Sequence, residues 1–267
     1  MEHSGPPAAS THPIYDRLLT VVTLSTIGLI LTLAIDPPAS WVLLLLLLVT
    51  VVLGADYTLR IGPDGKSRRG YDTTTLWILP GLLILGAFLF LRLPVFASGP
   101  SIGAGIFATG VLLAGTLLAE NYVIAPSDEV RTRARFWLNI LSYLIAFALF
   151  TAIYSPKDSV PFSAVAVAVV TALVCLELYL GSKSARHRAI LYSILTGLGL
   201  GQITWALNYW NIDAITGGAL LTIAFYLISS VLRYDLSERL DPRTLFEFSA
   251  VSGVWLAIIF FTGLWLR

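Results

Sequence analysis

The chain has 267 residues, of which 57% are hydrophobic and 12% are charged, and its formal net charge is +1. Soluble domains carry about 25% charged residues, so this composition excludes an ordinary soluble protein and indicates a membrane protein. The small net charge also gives no reason to expect a nucleic acid as partner.

Residues 1–13 are small, polar and rich in proline, which is typical of a disordered tail. Residues 14–267 are predicted to form a single transmembrane helical domain, because apolar stretches recur there at about the ~20 residues that a membrane core requires. There are nine such stretches, near 16–35, 40–58, 74–93, 102–123, 134–154, 160–180, 187–209, 214–233 and 246–266. The predicted fold is therefore an all-α, polytopic bundle of about nine transmembrane helices.

The basic residues predict how this bundle is oriented. Of the 17 lysines and arginines, all but Arg92, Lys157 and Arg267 fall at one set of helix ends. Because cytoplasmic loops carry an excess of Lys and Arg, we expect a plasma-membrane protein with its N-terminus in the cytoplasm and its C-terminus outside. The same loops could hold anionic lipid headgroups, although the orientation rule alone accounts for their charge.

The seventh stretch contains the polar centre of a chain that is otherwise mostly apolar. At about 100° per residue, Gly197, Gly201, Thr204 and Asn208 fall on one narrow face. The two glycines would let another helix approach closely, and the threonine and asparagine could then hydrogen-bond across the contact. The sixth stretch offers a matching row of small residues at four-residue spacing, Ala164, Ala168 and Ala172.

Five side chains of the seventh stretch are candidates for a ligand pocket. They combine amides, a hydroxyl and aromatic rings, which suit an uncharged polar ligand or a lipid headgroup. They are Gln202, Thr204, Trp205, Asn208 and Tyr209. Interhelical hydrogen bonds and an aromatic belt at the membrane surface explain the same residues, so both interpretations stay open.

Two glutamates lie within the apolar stretches, each about one turn from an arginine-rich end. If Glu120 and Glu177 face each other, they could form a proton or cation site. In the alternative interpretation, each pairs with a basic residue such as Arg133 or Arg186. A cofactor or metal site is not predicted, because the three histidines, His3, His12 and His187, lie in the tail or at a loop, away from the interior of the stretches.

The layout resembles that of uncharacterised bacterial multi-pass membrane protein families, of the domain-of-unknown-function kind. The resemblance rests on paired stretches joined by arginine-rich loops such as 131–137, Arg-Thr-Arg-Ala-Arg-Phe-Trp. It implies no catalytic residue.

Our leading interpretation of the sequence is a non-catalytic integral membrane protein that binds a lipid or a partner subunit. The first alternative is a small transporter or permease-like protein that uses the five-residue pocket. The second alternative is a membrane enzyme that processes lipids with the two glutamates and the arginines.

Overall fold

A computed structural model describes residues 13–59, 76–123, 128–156, 159–180, 186–210, 212–236 and 253. Within these ranges the chain is helical, with no strand. The eight α-helices are α1 (Pro13–Ala34), α2 (Ala39–Leu59), α3 (Ile78–Leu91), α4 (Gly99–Val123), α5 (Asp128–Tyr154), α6 (Val160–Leu180), α7 (Arg186–Leu207) and α8 (Ala214–Leu236). A short 3-10 turn, Pro94–Phe96, connects α3 to α4.

Seven of these helices, all except α3, are long and apolar enough to cross a membrane. This confirms the predicted helical class for the described part of the chain. The predicted ninth stretch, 246–266, lies outside the described residues apart from Gly253. The described structure therefore does not support a count of nine spans.

Helix α3 differs from the prediction of a full span at 74–93. It has 14 residues, fewer than the ~20 that a span needs, and nine of them are buried. The helix packs against α1, α2, α4, α5 and α6, so neighbours surround it. Its continuous apolar sequence therefore reflects burial inside the bundle, which hydropathy alone does not distinguish from contact with lipid.

Consecutive helices alternate in direction, as contacts between their ends show. At the start of α1, Arg17 donates a hydrogen bond of 3.3 Å to the carbonyl of Tyr57 at the end of α2, and its guanidinium lies 4.0 Å from the centre of the Tyr57 ring. We call this side of the bundle the arginine-rich end. The described arginines found there are Arg17, Arg131, Arg133, Arg135, Arg186, Arg188 and Arg233.

At the opposite end, Arg92 follows α3 and caps α1. Its guanidinium donates to the carbonyls of Thr32 (3.4 Å) and Ile35 (3.1 Å) and lies 4.4 Å from the ring centre of Phe88. These carbonyls have no partner within their own helix because the chain leaves the helix there. A single arginine thus satisfies two carbonyl groups and joins α1 to α3.

Helices α6 and α7 pack closely through a seam of small residues. A Cβ atom placed on Gly197 would lie 2.5 Å from the carbonyl oxygen of Ala168 and 3.1 Å from the Cβ of Ala172. A Cβ atom on Gly201 would lie 3.0 Å from the carbonyl oxygen of Ala164. The predicted close approach of another helix to Gly197 and Gly201 is confirmed, and the structure shows that this helix is α6. Only glycine fits at position 197.

We expect Gly197→Ala to destabilise the protein by about 1–3 kcal/mol, because the added methyl group overlaps a backbone oxygen that cannot move independently. Gly199 supplies the matched control, since a Cβ there meets nothing within 4 Å. Gly199→Ala should be neutral or slightly stabilising, as alanine favours a helix. Reversible unfolding in detergent micelles measures both free energies. Equal changes in the free energy of unfolding for the two substitutions would contradict the close packing of α6 against Gly197.

Candidate functional site

The five predicted pocket residues lie on two different surfaces of α7. Thr204 and Asn208 face α6 in the small-residue seam, whereas Gln202, Trp205 and Tyr209 are exposed on the outside of the bundle. They therefore do not line one cavity. Each surface has its own chemistry.

In the seam, Asn208 joins the two helices. Its side-chain nitrogen donates to the hydroxyl of Ser163 on α6 at 3.0 Å and to the carbonyl of Thr204 at 2.9 Å. Thr204 is fully buried, and its hydroxyl donates to the carbonyl of Leu200 at 2.8 Å. The predicted bond across the contact is confirmed for Asn208 and wrong for Thr204, because a threonine hydroxyl reaches the carbonyl of its own preceding turn more readily.

On the outside, Gln202, Trp205 and Tyr209 line an open groove between α6 and α7. The groove has a volume of about 720 Å³ and mostly apolar walls. Its other lining residues are Ala164, Val165, Ala168, Leu198, Gly201 and Ala206. The small residues of the seam thus also form the floor of the groove, because their short side chains leave space above the contact.

The polar groups of the groove lie near one end of it. Trp205 is 45% and Tyr209 is 76% exposed, and the side-chain amide of Gln202 has no hydrogen-bond partner among the described residues. Gln202 lies five residues before the end of α7, about 7.5 Å along the helix axis. Such a groove fits an elongated apolar molecule that carries a polar group near one end.

Asp213 lies beyond the open end of the groove and caps α8. One carboxylate oxygen accepts from the backbone N–H of Thr216 at 3.0 Å, and the other accepts from the Thr216 hydroxyl at 2.6 Å. Partial burial acts to raise the pKa of Asp213, but these hydrogen bonds outweigh it and hold the pKa below its usual value. Helix capping therefore accounts for this acid.

The two glutamates lie near the arginine-rich end. Glu120 on α4 is fully buried, and neither of its carboxylate oxygens has a hydrogen-bond partner among the described residues. Glu177 on α6 is half-buried and interacts electrostatically with Glu120 and with Arg135 of α5. The structure thus brings the predicted pair together, with an arginine that the sequence had not indicated.

The suggested pairing with Arg133 is not found. Arg133 forms an exposed ion pair of 2.7 Å with Glu129, one turn earlier on α5. Beside the buried glutamate, Asn121 donates to the carbonyl of Thr58 at 3.3 Å and so joins α4 to α2. Sequence reasoning missed Arg135 and Asn121 because their roles depend on how α4 and α5 are rotated within the bundle.

Within the described ranges, no set of three or more His, Cys, Asp or Glu residues lies close enough together to hold a metal ion.

Residues 19–262 match the family described as Protein of unknown function (DUF5656). No curated protein and no solved structure matches the chain. The match covers most of the chain, so it includes both the groove and the glutamate pair.

We expect the Asn208–Ser163 hydrogen bond to contribute about 0.6 kcal/mol, the average for polar pairs between membrane helices. A double-mutant cycle with Asn208→Ala, Ser163→Ala and both together isolates this coupling, measured as the free energy of unfolding in detergent. Tyr209→Ala combined with Ser163→Ala is the control, because Tyr209 faces outward and should show no coupling. A coupling near zero for the Asn208 pair would show that the bond does not join the helices.

Proposed function

The chain belongs to the DUF5656 family, and we propose that it is a non-catalytic integral membrane protein that binds a lipid in the groove between α6 and α7. Seven helices of sufficient length and hydropathy support its placement in a membrane. So does the outside of the bundle, where large apolar side chains are exposed. On α2, for example, Leu45 is 64% and Leu46 is 60% exposed.

The observation that carries the proposal is the amide of Gln202. It faces outward from an apolar groove and has no partner among the described residues. In a membrane, an unpaired amide at this position costs free energy, since neither water nor another side chain satisfies it. A lipid ester carbonyl can accept its N–H group, and the attached acyl chain can fill the apolar part of the groove.

The depth of the groove supports a lipid as occupant. Trp205, Tyr209 and Trp210 are all exposed near the end of α7, and tryptophan and tyrosine are enriched where the membrane core meets the headgroups. Gln202 lies about one and a half turns deeper than the end of the helix. Ester groups occupy this level, between the headgroup and the acyl chains.

The transporter alternative is less well supported by the same geometry. It requires Gln202 and Asn208 to face one cavity, but they lie on different surfaces of α7. The enzyme alternative requires reacting groups around the glutamates, and Glu120 has no hydrogen-bond partner in the described part of the chain. Lipid binding needs neither condition.

We also propose that the protein lies in the plasma membrane and that its arginine-rich end faces the cytoplasm. The distribution of the described arginines supports this orientation, since only Arg92 lies at the opposite end. The same arginines favour anionic lipid headgroups in the facing leaflet. Six helices, α1 to α6, separate the start of α1 from the start of α7, so the two starts lie on the same side.

We expect the protein, extracted in mild detergent, to retain one lipid per chain in native mass spectrometry. Gln202→Leu should lower that retention about 2- to 10-fold, the loss expected for one neutral hydrogen bond. Trp205→Ala should lower it as well, because the ring forms one wall of the groove. Leu195→Ala is the control, since Leu195 is exposed on the same helix but does not line the groove.

Two results would contradict the lipid proposal. If Leu195→Ala lowers retention as much as Trp205→Ala, the bound lipid is general boundary lipid rather than an occupant of the groove. If the extracted protein instead carries a second polypeptide at fixed stoichiometry, and Gln202→Leu releases it, the groove is a subunit interface.

The proposed orientation is tested with single cysteines introduced into Cys175→Ala, which removes the native thiol. His187→Cys lies at the arginine-rich end, and Val95→Cys lies in the turn at the opposite end. On intact cells, a membrane-impermeant maleimide should label Val95→Cys, and it should label His187→Cys only after the cells are opened. The reverse labelling pattern would show that the arginine-rich end faces the outside of the cell.

A further inference from the structure

The side chain of Glu120 is an unusual group in this bundle. It is fully buried in the last turns of α4, and both of its carboxylate oxygens lack a hydrogen-bond partner among the described residues. A buried carboxylate without a partner is very unfavourable, and such groups are neutralised by a bound proton, a cation or a basic side chain. The fold therefore has to supply one of the three.

A basic side chain does not account for Glu120 within the described ranges. Helix α4 packs against α1, α2, α3 and α5, and α3 has no ionisable residue. The ionisable residues of the other three at this end are Tyr15, Asp16 and Arg17 on α1, Asp56 and Tyr57 on α2, and Asp128, Glu129, Arg131, Arg133 and Arg135 on α5. The charge that acts on Glu120 comes instead from α6, and it is the negative charge of Glu177.

Three of these arginines have contacts that account for their charge. Arg17 is bound to the carbonyl and the ring of Tyr57, and Arg133 is paired with Glu129. Arg135 interacts with Glu177, which is less buried than Glu120. The charge of Arg135 thus acts on the outer glutamate, Glu177.

We propose that Glu120 and Glu177 form a proton-binding carboxyl pair, in which Glu120 holds the proton and Glu177 is the carboxylate next to it. The negative charge of Glu177 favours the neutral form of Glu120, as in other pairs of neighbouring carboxyl groups. The positive charge of Arg135 favours the carboxylate form of Glu177, against the effect of burial. Helix α5 packs against both α4 and α6 and so brings the three residues together.

The three residues also form a graded path from the surface to the interior. Arg135 is exposed, Glu177 is half-buried and Glu120 is fully buried. A proton can therefore reach Glu120 by way of Glu177 at the arginine-rich end. One turn deeper on α4, the hydroxyl of Thr116 donates to the carbonyl of Leu112, so the next polar group along this face is already hydrogen-bonded.

A proton suits the pair better than a metal ion. A divalent cation needs several oxygen ligands, and no third carboxylate, histidine or cysteine joins the two glutamates within the described ranges. Arg135 would also repel a second cation near Glu177. The pair is separate from the proposed lipid groove, because Glu120 lies on α4 and Glu177 lies nine residues, about 13.5 Å along the helix, beyond Ala168, the last α6 residue that lines the groove.

The experiment is infrared difference spectroscopy of the protein in lipid nanodiscs over a pH titration. At neutral pH the wild-type protein should show a carbonyl band of a protonated carboxylic acid that shifts in D₂O. Glu120→Gln should lose this band. In Glu177→Gln the band should persist but disappear at a lower pH than in the wild type, since the neighbouring negative charge is gone.

Glu129→Gln is the control, because Glu129 is exposed and paired and should leave the band unchanged. Glu120→Asp keeps the acid, so the band should move to the frequency of an aspartic acid. This variant assigns the band even if Glu120→Gln does not fold. The carbonyl band of the wild-type protein can be measured without any variant.

The proposal is overturned if no wild-type band depends on Glu120 at neutral pH. It is also overturned if the band appears only after sodium, potassium and divalent cations are removed, because the pair would then bind a cation. An identical titration in Glu177→Gln and the wild type would show that the two carboxyl groups do not share the site.

Discussion

The structure depends on one constraint, which is that polar groups within the helices must find partners inside an apolar bundle. Most hydroxyl groups meet it locally by donating to the carbonyl four residues earlier in the same helix. This pattern holds for Thr26, Thr32, Thr50, Thr109, Thr116, Ser142, Ser193, Thr196, Thr204 and Thr222, among others. Helices can therefore carry many hydroxyl groups and still present an apolar surface.

The constraint also distinguishes packing residues from candidate site residues. Among the described residues, the buried hydroxyls of Ser25, Ser40, Thr151 and Thr171 have no partner. An unpaired hydroxyl costs far less than an unpaired charge, so these four need no ligand to explain them. Glu120 differs from them because its carboxyl group carries a full negative charge unless it holds a proton.

The sequence predicted those features that a single helix determines by itself. Four-residue spacing of Gly197 with Gly201, and of Ala164 with Ala168, indicated the seam, because residues at this spacing share a face in any helix. The sequence did not predict the full burial of Glu120 or its neighbour Arg135. Both depend on how α4 and α5 are rotated against the rest of the bundle, and the hydrophobic residues of α4 are spread too evenly to show its rotation.

The division of the predicted pocket into seam and groove follows from helix geometry. At about 100° per residue, Gln202 and Tyr209 lie about 20° apart around α7, whereas Gln202 and Asn208 lie about 120° apart. A neighbouring helix that contacts Asn208 through the seam therefore leaves Gln202 at the margin of that contact. Because the glycine face brings α6 so close, its small residues also form the floor of the groove beside Gln202. The groove thus exists because the seam is tight, and any change that separates α6 from α7 alters both.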